Sequence, residues 1–386
     1  MPRTIVLMLD GTSNEIAANR SNILRLYGTL EKTDRQVVWY DPGVGTLGPE
    51  RAWLRARRKA SEVFGMATGW GLDENVKEAY RFLSETWARD TTPENRDRIF
   101  LIGFSRGAYS ARVLAGFIHA VGLIEPRNLN LLEYAYRAYK RIGETGRDSD
   151  FDEIRLYRRI LRAEQPPIRA LGLFDTVTSV IEQGRFGPRL RSHAFTSVNP
   201  SVEAVRQALA LDERRTMYRP LRWPEGGLYQ ADRLDRAAAA RPQDLREVWF
   251  AGVHSDVGGG YPEPEAQLAK LSLRWMVAEL AALGLTFDAD ALRLIVEGQP
   301  PGQGHVAPDP AGDPHQSMKP LWRLLEYLPR KKPEGSTRPD LAGWVLPMCE
   351  PRPVPQGARI HRSALEHARL KGRAFPNLPA DHRIEG

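Results

Sequence analysis

Unbroken apolar runs alternate along this chain with stretches whose apolar residues recur every three to four positions. Thr4–Leu9 is β-branched and aliphatic and stops at Asp10-Gly11-Thr12, which predicts a buried strand and a tight turn. Gln36–Tyr40 predicts a second strand, stopped by Asp41-Pro42-Gly43-Val44-Gly45. Across Leu72–Trp87, residues Val76, Tyr80, Leu83 and Trp87 fall near helical spacing. Arg98–Gly103 is a third strand, continuously apolar as a strand covered on both faces must be. An apolar helix over Ser110–Val121 and a long charged helical stretch over Leu131–Leu161 follow it. Ile168–Phe174 and Val248–Val253 are the fourth and fifth strands, ending at Asp175 and His254, and Leu268–Leu283 is an amphipathic helix. Strands alternating with helices predict an α/β fold, a mainly parallel central sheet with helices on both faces.

Periodicity weakens in two places. Residues 186–241 read as an insertion in a catalytic domain spanning 1–285, of the kind that walls or lids a site. Residues 298–320 and 347–357 are rich in Gly and Pro, so 286–386 reads as a C-terminal extension of loops and short helices, or a small cap. A chain of 386 residues buries enough core to fold without disulfide or metal staples, and Cys349, its single cysteine, excludes an intrachain disulfide. No apolar run approaches the ~20 residues of a membrane span. Thr4–Leu9 is too short for a signal-peptide core and no small-residue cleavage site follows. A cytoplasmic location, or export that needs no cleaved leader, is the expectation. The formal net charge is +7, with arginine supplying 46 of 55 basic residues. Beside abundant Ala, Gly and Pro, that bias reads as compositional, so charge alone does not name an anionic partner.

The chemistry concentrates at strand ends. Gly103-Phe104-Ser105-Arg106-Gly107 matches G-x-S-x-G, with an apolar strand before it and a helix after it. Such an elbow lifts a serine hydroxyl above the sheet edge and aims the first N–H groups of the helix at a developing oxyanion. The Arg106 N–H is therefore a candidate oxyanion donor, and the N–H of Gly11 or Thr12 a candidate second one; an Asp10 turn closed by its own side chain is the competing reading there. A serine hydroxyl needs a base, and the base an orienting carboxylate. His254 directly follows a core strand, in Val253-His254-Ser255-Asp256-Val257-Gly258-Gly259-Gly260-Tyr261, at the end of the sheet where ligands sit. Asp175 is the favoured acid, giving the chain order Ser105, Asp175, His254 of an α/β-hydrolase. Asp256 is its rival, although a neighbour two residues away more readily shapes its own loop. His119, inside the helix after Ser105, is expected to be packed, whereas His193, His305, His315, His361, His367 and His382 are expected in solvent. Arg112 reads as a buried salt-bridge partner.

These residues also carry a resemblance. Asp10-Gly11-Thr12-Ser13-Asn14, Gly43-Val44-Gly45-Thr46, Gly103–Arg112, Asp175-Thr176-Val177 and His254–Tyr261 are similar to the motifs of an uncharacterised bacterial and fungal α/β-hydrolase family. Its members include the class-one phospholipase effectors of type VI secretion, and the likeness spans about residues 3 to 283. The resemblance implies a Ser-Asp-His esterase, with phospholipase A activity in the effector members, Ser105 as nucleophile and His254 as base. Ser13 and Phe174 stand where tryptophan is more usual and Thr178 where glycine is.

Three function classes follow. The leading one is a cofactor-free esterase or phospholipase acting on a small-molecule or lipid ester, with peripheral membrane contact and no nucleic acid. The second is a metal-dependent phosphohydrolase holding Mg²⁺ on Asp10, Asp175 and Asp256, although Met8 stands where a haloacid-dehalogenase signature has its nucleophilic aspartate. The third is a non-catalytic module for anionic ligands. The leading reading requires His254 within bonding reach of Ser105.

Overall fold

The computed structural model describes residues 2–11, 20–43, 69–89, 91–92, 95–145, 147–177, 181–184, 187–190, 193–230, 240–332 and 335–386. Eight strands form one sheet: β1 (Thr4–Leu9), β2 (Gln36–Asp41), β3 (Arg98–Phe104), β4 (Ile168–Phe174), β5 (Val202–Ala210), β6 (Asp244–Phe250), β7 (Ala358–His361) and β8 (His382–Glu385). Their spatial order is β8-β7-β6-β5-β4-β3-β1-β2, and every neighbouring pair is parallel. The chain builds outward to β2, then returns past β1 to lay down β3. That reversal makes the β1/β3 boundary the switch point of the sheet, and ligands of open α/β sheets bind beyond the strand ends there.

Alternation along the strands explains their unbroken apolar character. β1 sends Ile5, Leu7 and Leu9 to one face and Val6 and Met8 to the other. The first face is covered by α2 (Gly69–Thr86), α3 (Arg106–Val121) and α4 (Leu132–Thr145), through Val76, Tyr80, Phe117 and Tyr139. The second is covered by α1 (Asn22–Thr29) and by Gln267–Ala282, through Leu26, Leu271, Met276 and Leu280. Each fully buried Leu or Phe contributes about 1.5–3 kcal/mol, so a strand buried on both sides favours apolar residues at successive positions. The long helical stretch divides into α4 and α5 (Asp148–Ile160).

Three of the eight strands of this sheet have no counterpart among those expected from the sequence. β5 lies inside the stretch read as an insertion, and β7 and β8 lie in the C-terminal hundred residues. β5 carries Arg206 and Gln207 in its middle, and both are buried. Arg206 binds Glu279 and Asp244, while Gln207 meets Arg112, Thr176 and Glu247. Paired polar groups therefore occupy core positions and hide the strand from a hydrophobicity pattern. β7 and β8 are short strands at one end of the sheet, with β8 at its edge, and a small core of Leu209, Trp249, Ile360 and Phe375 secures them.

Candidate active site

Ser105 sits between β3 and α3 at φ 57°, ψ −120°, a conformation that costs a non-glycine residue roughly 1–3 kcal/mol. The surrounding backbone enforces it. A Cβ at Gly107 would stand 2.1 Å from the Leu9 carbonyl oxygen, and one at Gly103 2.5 Å from the Gly107 oxygen. The two glycines thus let the helix start against the ends of β1 and β3. The Ser105 N–H donates to Phe174 O at 3.0 Å, and the first helical bond runs from Tyr109 N–H to Ser105 O. The Arg106 N–H precedes that ladder, at the positive end of a 16-residue helix.

Three side chains distant in sequence meet beyond the strand ends. His254 opens the short helix α6 (His254–Gly258) just past β6. Its Nε2 lies 2.8 Å from Ser105 Oγ and its Nδ1 lies 2.5 Å from Asp175 Oδ2. An ionised carboxylate only accepts hydrogen bonds, so Nδ1–H donates to Asp175 and Nε2 is left to accept the Ser105 hydroxyl. Asp175 follows β4 at φ 41°, and its Oδ1 accepts the Ala210 N–H. The rings of Phe104 and Tyr218 pack on the imidazole at 4.8 and 4.9 Å. Burial pushes the His254 pKa below its ordinary value, against the upward pull of Asp175. Burial would raise the Asp175 carboxyl, but Arg352 and the His254 hydrogen bond hold it well below the usual carboxylate range. The resting pair is therefore a carboxylate beside a neutral imidazole.

The rival acid points elsewhere. Asp256 Oδ2 accepts the N–H groups of Val253 and His315, and its Oδ1 lies 2.6 Å from His315 Nδ1. It shapes the loop and bonds a different histidine. Asp10 accepts from its own neighbour, the Gly11 N–H at 2.6 Å, and from Ser21 and Tyr40. The Gly11 N–H is thus engaged in the local aspartate turn, and Thr12 lies outside the described residues. Asp10, Asp175 and Asp256 serve three separate networks, and among the described residues no group of three or more His, Cys, Asp or Glu is placed to hold a metal ion. Two histidines expected in solvent, His193 and His367, are buried; His193 faces the Tyr109 hydroxyl at 3.0 Å, and His367 Nδ1 meets Pro310 O at 2.7 Å. Arg112 is buried without the expected salt bridge among the described residues. It instead donates to Gln207 and to the carbonyls of Thr196 and Leu221, tying α3 to β5 and to the chain on either side of it.

Two residues of the site have no signature in the sequence. Arg352, buried in the Pro-rich 347–357 stretch, grips Asp175 with both terminal guanidinium nitrogens, at 2.7 and 2.9 Å. The same guanidinium donates to the carbonyls of Ala210 and Tyr218. Glu213 is buried just past β5 and accepts from Arg215, from the His254 N–H at 3.3 Å and from the Ser317 hydroxyl at 2.8 Å. Neither residue falls in a recognisable motif. Only the tertiary fold brings the C-terminal segment to Asp175 at the end of β4.

Residues 3–279 match the sequence model of the family described as type VI secretion phospholipase effector Tle1-like, catalytic domain. An uncharacterized Saccharomyces cerevisiae protein is 26% identical over 416 residues, covering 75% of this chain and 58% of the yeast protein. A crystal structure of an uncharacterized Pseudomonas aeruginosa protein is 18% identical with a TM-score of 0.40, covering 77% of this chain and 48% of that one. A Tle1 effector bound to the VgrG spike of the type 6 secretion system is 19% identical with a TM-score of 0.34, covering 69% and 53%. The chain thus spans about half the length of these relatives.

Proposed function

The chain belongs to the Tle1-like phospholipase effector family of catalytic domains, and from that premise we propose that it hydrolyses carboxylic esters of lipids through Ser105, His254 and Asp175. The observation that carries this reading is the hydrogen-bonded path from Ser105 Oγ through the imidazole to the Asp175 carboxylate. Ser105 Oγ attacks the ester carbonyl as its proton passes to His254 Nε2. The imidazolium is held by Asp175, which stays ionised. The tetrahedral oxyanion forms in front of α3, where the Arg106 N–H is one donor. The Gly11 N–H supplies the second once it leaves Asp10 Oδ1. Collapse of the intermediate expels the alcohol with the proton from Nε2. Water, deprotonated by the same nitrogen, then releases the carboxylic acid and restores Ser105. In this reading residues 1–285 are the catalytic core, and 286–386 an extension that reaches back into the site through Arg352.

A fluorophosphonate probe tests this before any lipid is chosen, because it reacts with activated serines irrespective of the acyl group. Labelling is expected on the peptide containing Ser105 alone. Labelling at another serine, or none, would sink the proposal.

The pH profile gives a second check. His254 works as a base only when neutral, and burial lowers its pKa below the ordinary 6.5. The base is thus available down to lower pH than a solvated histidine, and the acidic limb of kcat/KM is expected below pH 6.5. A limb above that value would contradict a buried neutral imidazole.

A further inference from the structure

A surface beyond the active site runs against the usual rule for a water-exposed helix. Of the fourteen large apolar side chains exposed among the described residues, seven fall between positions 321 and 348. The helix Pro320–Leu325 and the turn after it present Leu321, Leu324 and Leu328 outward, at spacings of three and four that align them on one face. The opposite face is anchored. Trp322 packs edge-on against Tyr218 at 5.6 Å, and buried Glu326 accepts from the Thr216 N–H and hydroxyl. Water-exposed helices ordinarily turn their apolar stripe inward, so here the stripe is inverted. A two-strand hairpin, Arg330–Lys331 with Trp344–Val345, continues the patch with exposed Leu341 and Trp344. Exposed Met348 joins hairpin to helix, its N–H donating to Glu326 O.

Charge and position narrow what can cover this face. Lys319, Arg323, Lys331 and Lys332 are exposed among the apolar residues, and Asp340 is the one exposed carboxylate among the described residues of 319–348. A cationic rim around leucines and a tryptophan matches the headgroup layer of an anionic bilayer, where tryptophan rings settle and each Lys or Arg gains from the surface potential. The anchored side leads to the chemistry, since Trp322 touches Tyr218 and Tyr218 touches His254. A cavity of about 570 Å³, lined by residues including Arg214, Val253, Met318, Arg323 and Tyr327, opens between this face and the start of the His254 helix.

We propose that residues 319–332 and 335–348 form a docking face for the surface of an anionic phospholipid bilayer, seating the protein so that lipid reaches Ser105 from that side. The inference deepens the lipid-hydrolase reading and rests on it for the purpose of docking. It is tested by co-sedimentation with vesicles of pure phosphatidylcholine and of phosphatidylcholine mixed with phosphatidylglycerol. The wild-type chain is expected to bind the mixed vesicles preferentially and to lose binding as salt rises. Leu324→Asp with Leu328→Asp should weaken vesicle binding at least about tenfold, and Lys331→Glu with Lys332→Glu should remove the preference for phosphatidylglycerol. Turnover of a water-soluble short-chain ester should be unchanged in both variants, because none of the four side chains lies in the catalytic machinery. Equal binding of the two vesicle types, wild-type vesicle binding by the leucine variant, or a solution dimer that Leu324→Asp dissociates would each overturn the docking face. Soluble-ester turnover and Ser105 labelling report on the hydrolase reading independently.

Discussion

Replacing Ser105 with alanine is expected to lower kcat on short-chain esters by about 10⁴- to 10⁶-fold while leaving the fold in place. The size follows from the cooperative action of nucleophile, base and acid, in which losing the nucleophile costs nearly as much as losing all three. The fold survives because the Ser105 side chain makes no helix-capping bond, and alanine occupies the same strained elbow with a similar backbone cost. Steady-state turnover and a thermal melt on the same preparation check both halves. Retained turnover would remove Ser105 from the mechanism. Lost turnover with a collapsed melt would show only that the elbow had been broken, and Ser105→Gly, which relieves the positive φ, would then separate folding from chemistry.

The second large effect concerns Arg352. Its two bonds to Asp175 are buried, so Arg352→Met strands a carboxylate and is expected to cost about 3–5 kcal/mol of stability. A merely structural arginine would do that much. Its charge makes a further prediction. Arg352 offsets the negative charge that Asp175 presents to His254. Without that offset the imidazolium is favoured, the His254 pKa rises, and more base is protonated at a given pH. The acidic limb of kcat/KM should therefore move to higher pH in Arg352→Met and stay near its wild-type position in Arg352→Lys, which keeps the charge but loses the two-pronged grip. The other charged groups facing His254, Glu213 and Arg215, are untouched in both variants. A destabilised Arg352→Met with an unmoved limb would reduce the arginine to a structural clamp.

What could be read from the chain followed from local rules. Five strands, the α2 and α3 helices and the Ser105 elbow were legible because apolar runs and glycine punctuation record burial on two faces and a forced turn. The chain order of Ser105, Asp175 and His254 was legible because each side chain stands just beyond a strand. β5 was hidden, since Arg206 and Gln207 satisfy their polar groups inside the core and break the apolar pattern. The sequence favoured Asp175 over Asp256, because a neighbour two residues from His254 more readily shapes its own loop. The structure brings the first to His254 and the second to His315.

The sequence by itself determined the layered α/β architecture and the residues that stand at its carboxyl edge, because burial and backbone sterics act over a few residues at a time. Tertiary structure alone decided which carboxylate meets the imidazole, that Arg352 crosses from the C-terminal segment to hold it, and that a helix turns its leucines outward. Those outcomes depend on distances between groups far apart in the chain, 79 positions for Asp175 with His254 and 177 for Asp175 with Arg352, and such distances are set by the packing of the whole sheet.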